Sequence, residues 1–428
     1  MIEEFIDEQF FLDDSENKSE AENKSAEANF SDMFSFRQIG SAAKYVEPVN
    51  SSTPLETLAQ MFKNDPNLEA VPVEEYDRVI GVIDRNTVVE NTNTAFKRFM
   101  GKDAGSYVKR SSHILYARDF IEKKLTAISR ISREAGIIYF PVFNNRSFFG
   151  IISIDNFLER IAQMREQDME KARTVQQNLL PDLGMLGTHP FKIGIWNRMS
   201  NIVGGDFYAA EKISDSFYIC ACFDVAGKNY SAALLTVALG SFFSAIKQGL
   251  LSAKTPAELT GTLDLYLKEV IPVGNFITGA LCFIDTEHKS VTIHNCGHTT
   301  VYVFAPKQSN AGEAKKTILA SIEPALPPFG VGRVSDLLHK GTPEQGDGKT
   351  VYIFAYTPGM HINMYSDGIT DMQNPDGIRY DEQQTKRFFT ELYKKDASEL
   401  SSFAEKTVDN WLQEAMQGDD ITLMDIRF

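Results

Sequence analysis

The chain has few of the residues that would mark several common chemistries. Its four cysteines, Cys220, Cys222, Cys282 and Cys296, show no paired zinc spacing. They lie in apolar strand-like runs or beside a turn, so buried reduced thiols are expected. None is followed six residues on by an arginine, which excludes a cysteine phosphatase. Gly346-Asp347-Gly348-Lys349-Thr350 ends like a phosphate-binding loop, but the first glycine of that motif falls at Pro343. His294 and His298 have the spacing of a zincin pair, but Gly297 and a strand-like flank argue against the helix they would need. Positive charge is also short. Against 58 acids stand 43 Lys and Arg, for a net charge of −15 and a pI near 5.0. General nucleic-acid binding is therefore excluded. No apolar run approaches the roughly 20 residues that span a bilayer, and the acidic N-terminus has no signal-peptide pattern. A cytoplasmic protein without membrane attachment is expected.

At 428 residues the chain has room for two or three domains, and its 43% hydrophobic content suffices for their cores. Residues 1–32 hold eleven acids and two lysines with Ser and Asn between them, which predicts a disordered acidic tail over 1–43. Within it, Phe5, Ile6, Phe10, Phe11 and Leu12 would suit a short docking motif. Over 44–156 an order of strand, helix, strand, turn, strand and helix is followed by a similar one: a helix from Leu125 to Ala135, then strand, turn, strand and a helix from near Asp155. Val71-Pro72-Val73 and Gly81-Val82-Ile83 align with Phe140-Pro141-Val142 and Gly150-Ile151-Ile152. Thr53 and Pro54 predict the start of a helix. From Phe157 to about Leu180, Phe157, Ile161, Met164, Ala172, Val175 and Leu179 recur at spacings of three or four, with Asp168 in the gap. That is a coiled-coil-like stripe, expected as a signalling linker over 157–181.

Residues 182–428 alternate strand-like runs with two long helical stretches, near 230–250 and 382–415, which predicts antiparallel α+β layers. Four aspartates sit there beside a glycine or a second acid or, for Asp224, three residues before a glycine, in Gly204-Gly205-Asp206, Asp224-Val225-Ala226-Gly227, Ser366-Asp367-Gly368 and Gly418-Asp419-Asp420. Asp-Gly is a common turn, so each alone is weak evidence. Several carboxylates converging from strand ends, however, suit hard cations. Two such cations are a usual device for setting water against a phosphate ester.

Two resemblances sharpen this reading. The repeat at 44–156 resembles a tandem pair of CBS domains, a regulatory module that often binds adenine nucleotides. In nucleotide-binding members a Thr and an Asp follow the last strand. Here those positions carry Asp84 and Thr87 in one copy and Ser153 and Asn156 in the other, with Asp155 one place early. A structural, dimerising role and an adenine-nucleotide site both stay open. The segments Val175–Pro181, Val203–Tyr208, Phe223–Lys228, Ser231–Leu235, Asn295–His298, Pro328–Val331, Tyr365–Asp371 and Asp419–Leu423 resemble, in order, the SpoIIE/RsbU-type branch of PPM (PP2C-like) serine/threonine phosphatases.

That resemblance implies an α+β fold, a layered antiparallel β-sandwich flanked by helices. It further implies two Mn²⁺ or Mg²⁺ ions held by Asp206, Asp224, the Val225 carbonyl, Asp367 and Asp419, with Asp224 bridging and Asp420 the lesser candidate of its pair. Water activated by both ions would then hydrolyse phosphoserine or phosphothreonine. The implied substrate is a phosphorylated STAS-type anti-sigma antagonist of bacterial partner switching, and the implied assembly a homodimer. The chain departs from the family pattern at Ala209, usually an acid, at Asn229-Tyr230 and at Cys296, usually alanine. Ala209 supports the rival expectation of an inactive, ligand-sensing scaffold. A second rival is a protein whose main task is nucleotide binding by the CBS-like pair.

Overall fold

The computed structural model describes residues 33–94, 102–110, 114–181, 190–227, 230–251, 255–306, 317–338 and 351–428. The apolar cluster Phe5–Leu12, the pair Lys228 and Asn229, and Gly346–Thr350 lie outside the described residues. The chain divides into two compact units at Asp168/Met169.

The first unit is built from two copies of one pattern. The first runs β1 (Val49–Asn50), α1 (Leu55–Asn64), β2 (Ala70–Glu75), β3 (Arg78–Asp84) and α2 (Arg85–Thr92); the second runs β4 (Leu115–Tyr116), α3 (Ile121–Ala135), β5 (Tyr139–Asn144), β6 (Ser147–Ser153) and α4 (Ile154–Asn178). Each forms a three-stranded sheet with a parallel first pair and an antiparallel second pair. Even the irregularities repeat, since register shifts occur at Val73/Glu74 and at Val142/Phe143. Tyr76 and Asp77 both have positive φ, the backbone a tight hairpin turn needs. Each copy also docks on the leader of the other. Lys44 exchanges both backbone hydrogen bonds with Ile151, at 2.9 and 2.8 Å, and Lys109 does so with Val82, at 3.2 and 3.5 Å. Only glycine allows these approaches: a Cβ on Gly150 would lie 2.5 Å from the Lys44 carbonyl, and one on Gly81 2.4 Å from that of Lys109.

The helix expected after Thr53 starts one residue later than its capping signal suggests. Pro54 takes the N-cap position, and the Thr53 carbonyl instead accepts the Ala104 N–H at 2.8 Å. Asp84 does cap α2: it accepts the Thr87 N–H at 2.8 Å and hydroxyl at 3.0 Å, and pairs with Lys109 Nζ at 3.0 Å. Burial pushes its carboxyl up, but the Thr87 amide and the Lys109 ammonium outweigh this and hold it below the usual carboxylate range. The stability it contributes is complete above the unfolded value, about 4, and is lost as pH falls through the depressed folded value. Asp84→Asn is therefore expected to flatten the acid limb of unfolding below about pH 4, followed by circular dichroism. An acid limb as steep as wild type would contradict that role.

Of the linker stripe on α4, Phe157, Ile161 and Met164 are buried, whereas Val175 is 51% exposed. Arg37 binds both Glu122 of α3 and Asp168. The gap in the stripe is thus filled by an ion pair within the first unit.

The second unit has four layers. One sheet has the order β14-β11-β10-β9-β8 and the other β13-β12-β15-β16-β7, and every pairing in both is antiparallel. The first sheet comprises β8 (Asp206–Lys212), β9 (Phe217–Val225), β10 (Ile277–Asp285), β11 (Ser290–Cys296) and β14 (Tyr352–Ala355). The second comprises β7 (Lys192–Arg198), β12 (Val301–Pro306), β13 (Thr317–Ile322), β15 (His361–Tyr365) and β16 (Ile421–Arg427). Cys220, Cys222, Cys282, Ile362, Met364 and Met424 are among the side chains that meet between the sheets. The outer face of the first sheet carries α5 (Tyr230–Lys247) and α6 (Pro256–Val270); that of the second carries α9 (Glu382–Leu392) and α10 (Leu400–Leu412). Between these helices lie the short α7 (Val334–Leu338) and α8 (Gly368–Asp371). Strands buried on both faces explain the continuous apolar runs in the sequence. The expected single helix over 382–415 is two helices, because Asp396 and Glu399 form a capping box that restarts the chain.

Candidate active site

Asp206 opens β8 and Asp224 stands near the end of β9, directly opposite it in register. Directly paired residues on antiparallel strands point to the same face. Here that is the face between the sheets, shared with Tyr208 and Cys222. Asp206 is 3% exposed, and its Oδ2 accepts hydrogen bonds from Ser366 Oγ, at 2.6 Å, and from Thr422 Oγ1, both from the opposite sheet. Burial and then the neighbouring Asp224 charge push its carboxyl well above the ordinary range, against the pull of those two hydroxyls. A divalent cation between the two carboxylates would relieve this cost.

Asp367 follows Ser366 at the end of β15, and its carbonyl accepts the Asp371 N–H of α8 at 2.9 Å. Asp419 precedes β16, and its Oδ1 accepts the Asp420 N–H at 3.0 Å. Asp420 is spent on the backbone instead. Its Oδ1 accepts the Ser200 N–H at 2.7 Å and its Oδ2 the Gly205 N–H at 2.6 Å, so it fixes the loop leading to Asp206. Val225 donates its N–H to the Gly205 carbonyl at 3.2 Å, and its own carbonyl lies 3.2 Å from where a Cβ on Gly205 would stand. The four predicted aspartates thus flank one end of the sandwich, tied together through Ser366, Thr422 and Asp420. All candidate donors are oxygens, the kind that Mn²⁺ and Mg²⁺ take. Among the described residues, no three His, Cys, Asp or Glu side chains already gather closely enough to hold an ion.

One residue at the site was quoted in the Val175–Pro181 segment but given no role of its own. Gln176, near the end of α4, is 2% exposed and clamps the loop before Asp206. Its Nε2 donates to the Gly204 carbonyl and to Thr236 Oγ1 of α5, both at 2.7 Å, while its Oε1 accepts the Gly204 N–H at 3.1 Å. Leu179 packs on α5 where Gly240 leaves room, since a Cβ there would lie 2.6 Å away. A glutamine at the edge of an apolar stripe was the available signal, but its partner lies 28 positions away.

The two histidines diverge. His294 bonds Thr260 Oγ1 at 2.8 Å in the helical layer, and His298 bonds Thr278 Oγ1 at 2.9 Å. Burial pushes both down to about 4. Ala209 packs with Phe207 toward α5 and α6, on the face opposite Asp206. The missing acid is therefore not a missing member of the aspartate group.

With this geometry in hand, the comparisons are specific. The model of the family described as Stage II sporulation protein E (SpoIIE) matches residues 215–428, half of the chain, and that of the CBS domain matches residues 39–92. The chain belongs to the SpoIIE family and carries a CBS domain ahead of that region. The phosphoserine phosphatase RsbP of Bacillus subtilis is 24% identical over 207 residues, which cover 48% of this chain and 46% of RsbP. The chain thus spans about half the length of that curated relative. Among solved structures, the SiaA-PP2C domain of Pseudomonas aeruginosa is 21% identical with a TM-score of 0.49, covering 62% of this chain and 98% of that one. The PP2C phosphatase domain and a regulatory fragment of SpoIIE from Bacillus subtilis are 17% identical with a TM-score of 0.41, covering 56% and 64%. No helix among the described residues is long and apolar enough to cross a membrane.

Proposed function

We propose that this protein is a metal-dependent protein-serine/threonine phosphatase of bacterial partner-switching signalling. One observation carries the reading: a buried Asp206, aimed by Ser366 and Thr422, stands beside Asp224 at the end of the sandwich where Asp367 follows β15 and Asp419 precedes β16. Asp206, Asp224, the Val225 carbonyl, Asp367 and Asp419 would hold two divalent cations. When bound, such a pair supplies a water of lowered pKa and neutralises phosphoryl charge. The protein's own part is positional. Ser366 and Thr422 fix one carboxylate oxygen of Asp206, and Asp420 fixes the loop before it. In this reading Asp420 is a loop brace, not a metal ligand.

The substrate in this reading is a phosphorylated STAS-type anti-sigma antagonist, and the enzyme is a cytoplasmic homodimer. Membership of the SpoIIE family and the likeness to a phosphoserine phosphatase support the reaction class. The domain layout read from the sequence goes with it: a tandem CBS-like module over 44–156, a linker over 157–181 and a phosphatase domain over 182–428. The tail expected over 1–43 ends earlier, since Phe34 and Ile39 are buried in the core of the first unit and Arg37 pairs with Glu122 and Asp168. Asp84 and Ser153, at the nucleotide-contacting positions of a CBS pair, cap their own helices through Thr87 and Asn156. The module is accordingly assigned a structural role in control, not adenine-nucleotide binding. The test is release of phosphate from a phosphoserine protein by the purified full-length chain with Mn²⁺. No release, together with no Mn²⁺ uptake in calorimetry, would establish the inactive scaffold instead.

Control would pass along α4. Arg37 grips Asp168, and Gln176 grips Gly204 about two turns further along the same helix. Gln176→Leu leaves both polar groups of Gly204 without the amide that now satisfies them, at about 1–3 kcal/mol each. We expect it to lower Mn²⁺-dependent activity at least tenfold while the protein stays folded. Unchanged activity would remove Gln176 from the control path.

A further inference from the structure

A second buried group adjoins the aspartates without belonging to them. His298 is 4% exposed. Its Nδ1 meets Thr278 Oγ1 at 2.9 Å, and Thr278 is the cross-strand partner of Asp224, with its hydroxyl 3.4 Å from the Asp224 carbonyl. Nε2, on the other side of the ring, faces the Tyr365 backbone without a hydrogen bond of ordinary geometry. Tyr365 is two residues before Asp367. The loop bearing the ring is itself anchored. Asn295 Oδ1 accepts the His298 N–H at 2.9 Å, Asn295 Nδ2 donates to the Thr299 carbonyl at 2.9 Å, and Thr299 Oγ1 donates to the Tyr365 carbonyl.

A threonine has one hydroxyl hydrogen. If it serves Nδ1, the closer acceptor, then the neutral ring carries its own hydrogen on Nε2, and that N–H is a buried donor in want of an acceptor. The nearby backbone is that of the strand leading to Asp367.

We propose that His298 is a positioning residue of the site, a strut that sets the distance between the Asp206–Asp224 pair and Asp367. One edge of the ring is fixed through Thr278 to the strand of Asp224. The other edge presents a donor to the Tyr365 backbone, and its hydrogen bond improves as the Tyr365–Asp367 segment draws in. The proposal rests on the phosphatase reading, because Asp367 matters only if it shares ions with the other two. An apolar residue at 298 would leave Asp367 free to sit further out, and the site would hold ions less well.

The test uses the full-length protein and three variants. His298→Asn has an amide that reproduces the reach of Nδ1 but not of Nε2. His298→Gln has one that approaches the reach of Nε2. Thr278→Val keeps the ring and removes its anchor. Mn²⁺ binding is measured by calorimetry, melting is measured without metal, and phosphate release is measured against Mn²⁺ and substrate concentration. We expect His298→Asn and Thr278→Val to bind Mn²⁺ about tenfold more weakly. Their KM for the phosphoprotein should be unchanged and their kcat should recover at high Mn²⁺, with His298→Gln closer to wild type. Mn²⁺ binding within twofold of wild type in the folded variants overturns the proposal, as does a loss of kcat that no Mn²⁺ concentration restores. Failure of His298→Asn to fold leaves Thr278→Val to decide. If wild type itself neither binds Mn²⁺ nor releases phosphate, the phosphatase reading falls first and the strut with it.

Discussion

Asp224→Asn should abolish Mn²⁺-dependent phosphate release, by roughly a thousandfold or more, and should at the same time make the metal-free protein no less stable. The substitution is nearly isosteric, so the strand pairing with Asp206 and Thr278 survives. What disappears is a negative charge beside a buried carboxyl whose ionisation that charge opposes. Without it, Asp206 ionises more readily. The unfolding free energy of the apo protein should then rise slightly, and the gain should grow as pH rises toward the elevated Asp206 value. The two readouts separate a lost ligand from a damaged fold: activity falls while the melting temperature holds or rises. Retention of full activity would end the proposed mechanism.

Gly368→Ala should be the most damaging single methyl in the second unit. A Cβ there would stand 1.9 Å from the Asp420 carbonyl oxygen, a backbone atom with no rotamer to change. Either the Ser366–Asp367 strand end or the Asp419–Asp420 turn must move, and those segments carry two of the four aspartates. A loss of about 3 kcal/mol or more in denaturant unfolding is expected, with activity falling in the fraction that stays folded. Gly418→Ala is the matched control. It lies beside Asp419, but a Cβ there meets nothing within 4 Å, and its cost should stay under about 1 kcal/mol. Equal costs for the two would refute the steric argument.

The layered α+β class and the aspartate motifs were legible because both have local signatures. Strands buried on two faces read as apolar runs, and a carboxylate at a strand end beside a glycine keeps its neighbours in sequence. The twofold repeat was legible for the same reason, down to matching Pro and Gly positions. Other features depend on tertiary partners. The break between α9 and α10 turns on a capping box at Asp396, a short polar signal inside a helical composition. The helix α6 and the strand β7 were not read from the sequence. The side of the sheet on which Ala209 falls follows from strand alternation once β8 is recognised as a strand, and only then does its missing carboxylate lose its bearing on Asp206. Gln176 lies in the Val175–Pro181 segment, but its role is not legible there, since it depends on a loop and a helix that it meets only after folding.

The reciprocal straps of the first unit have a consequence for how it is made and handled. Lys44 completes the edge of the later copy and Lys109 that of the earlier one, so neither copy contains all of its own sheet. Each copy needs a residue from outside its own stretch. Synthesis must therefore run past Lys109 before the first copy has its last backbone partner, whereas the second copy finds its partner, Lys44, already made. A fragment ending after α2 would leave the β3 edge at Val82 unpaired and prone to pairing with a neighbouring molecule. The two halves should melt together in one transition, and a lesion in one should be felt equally in its twin.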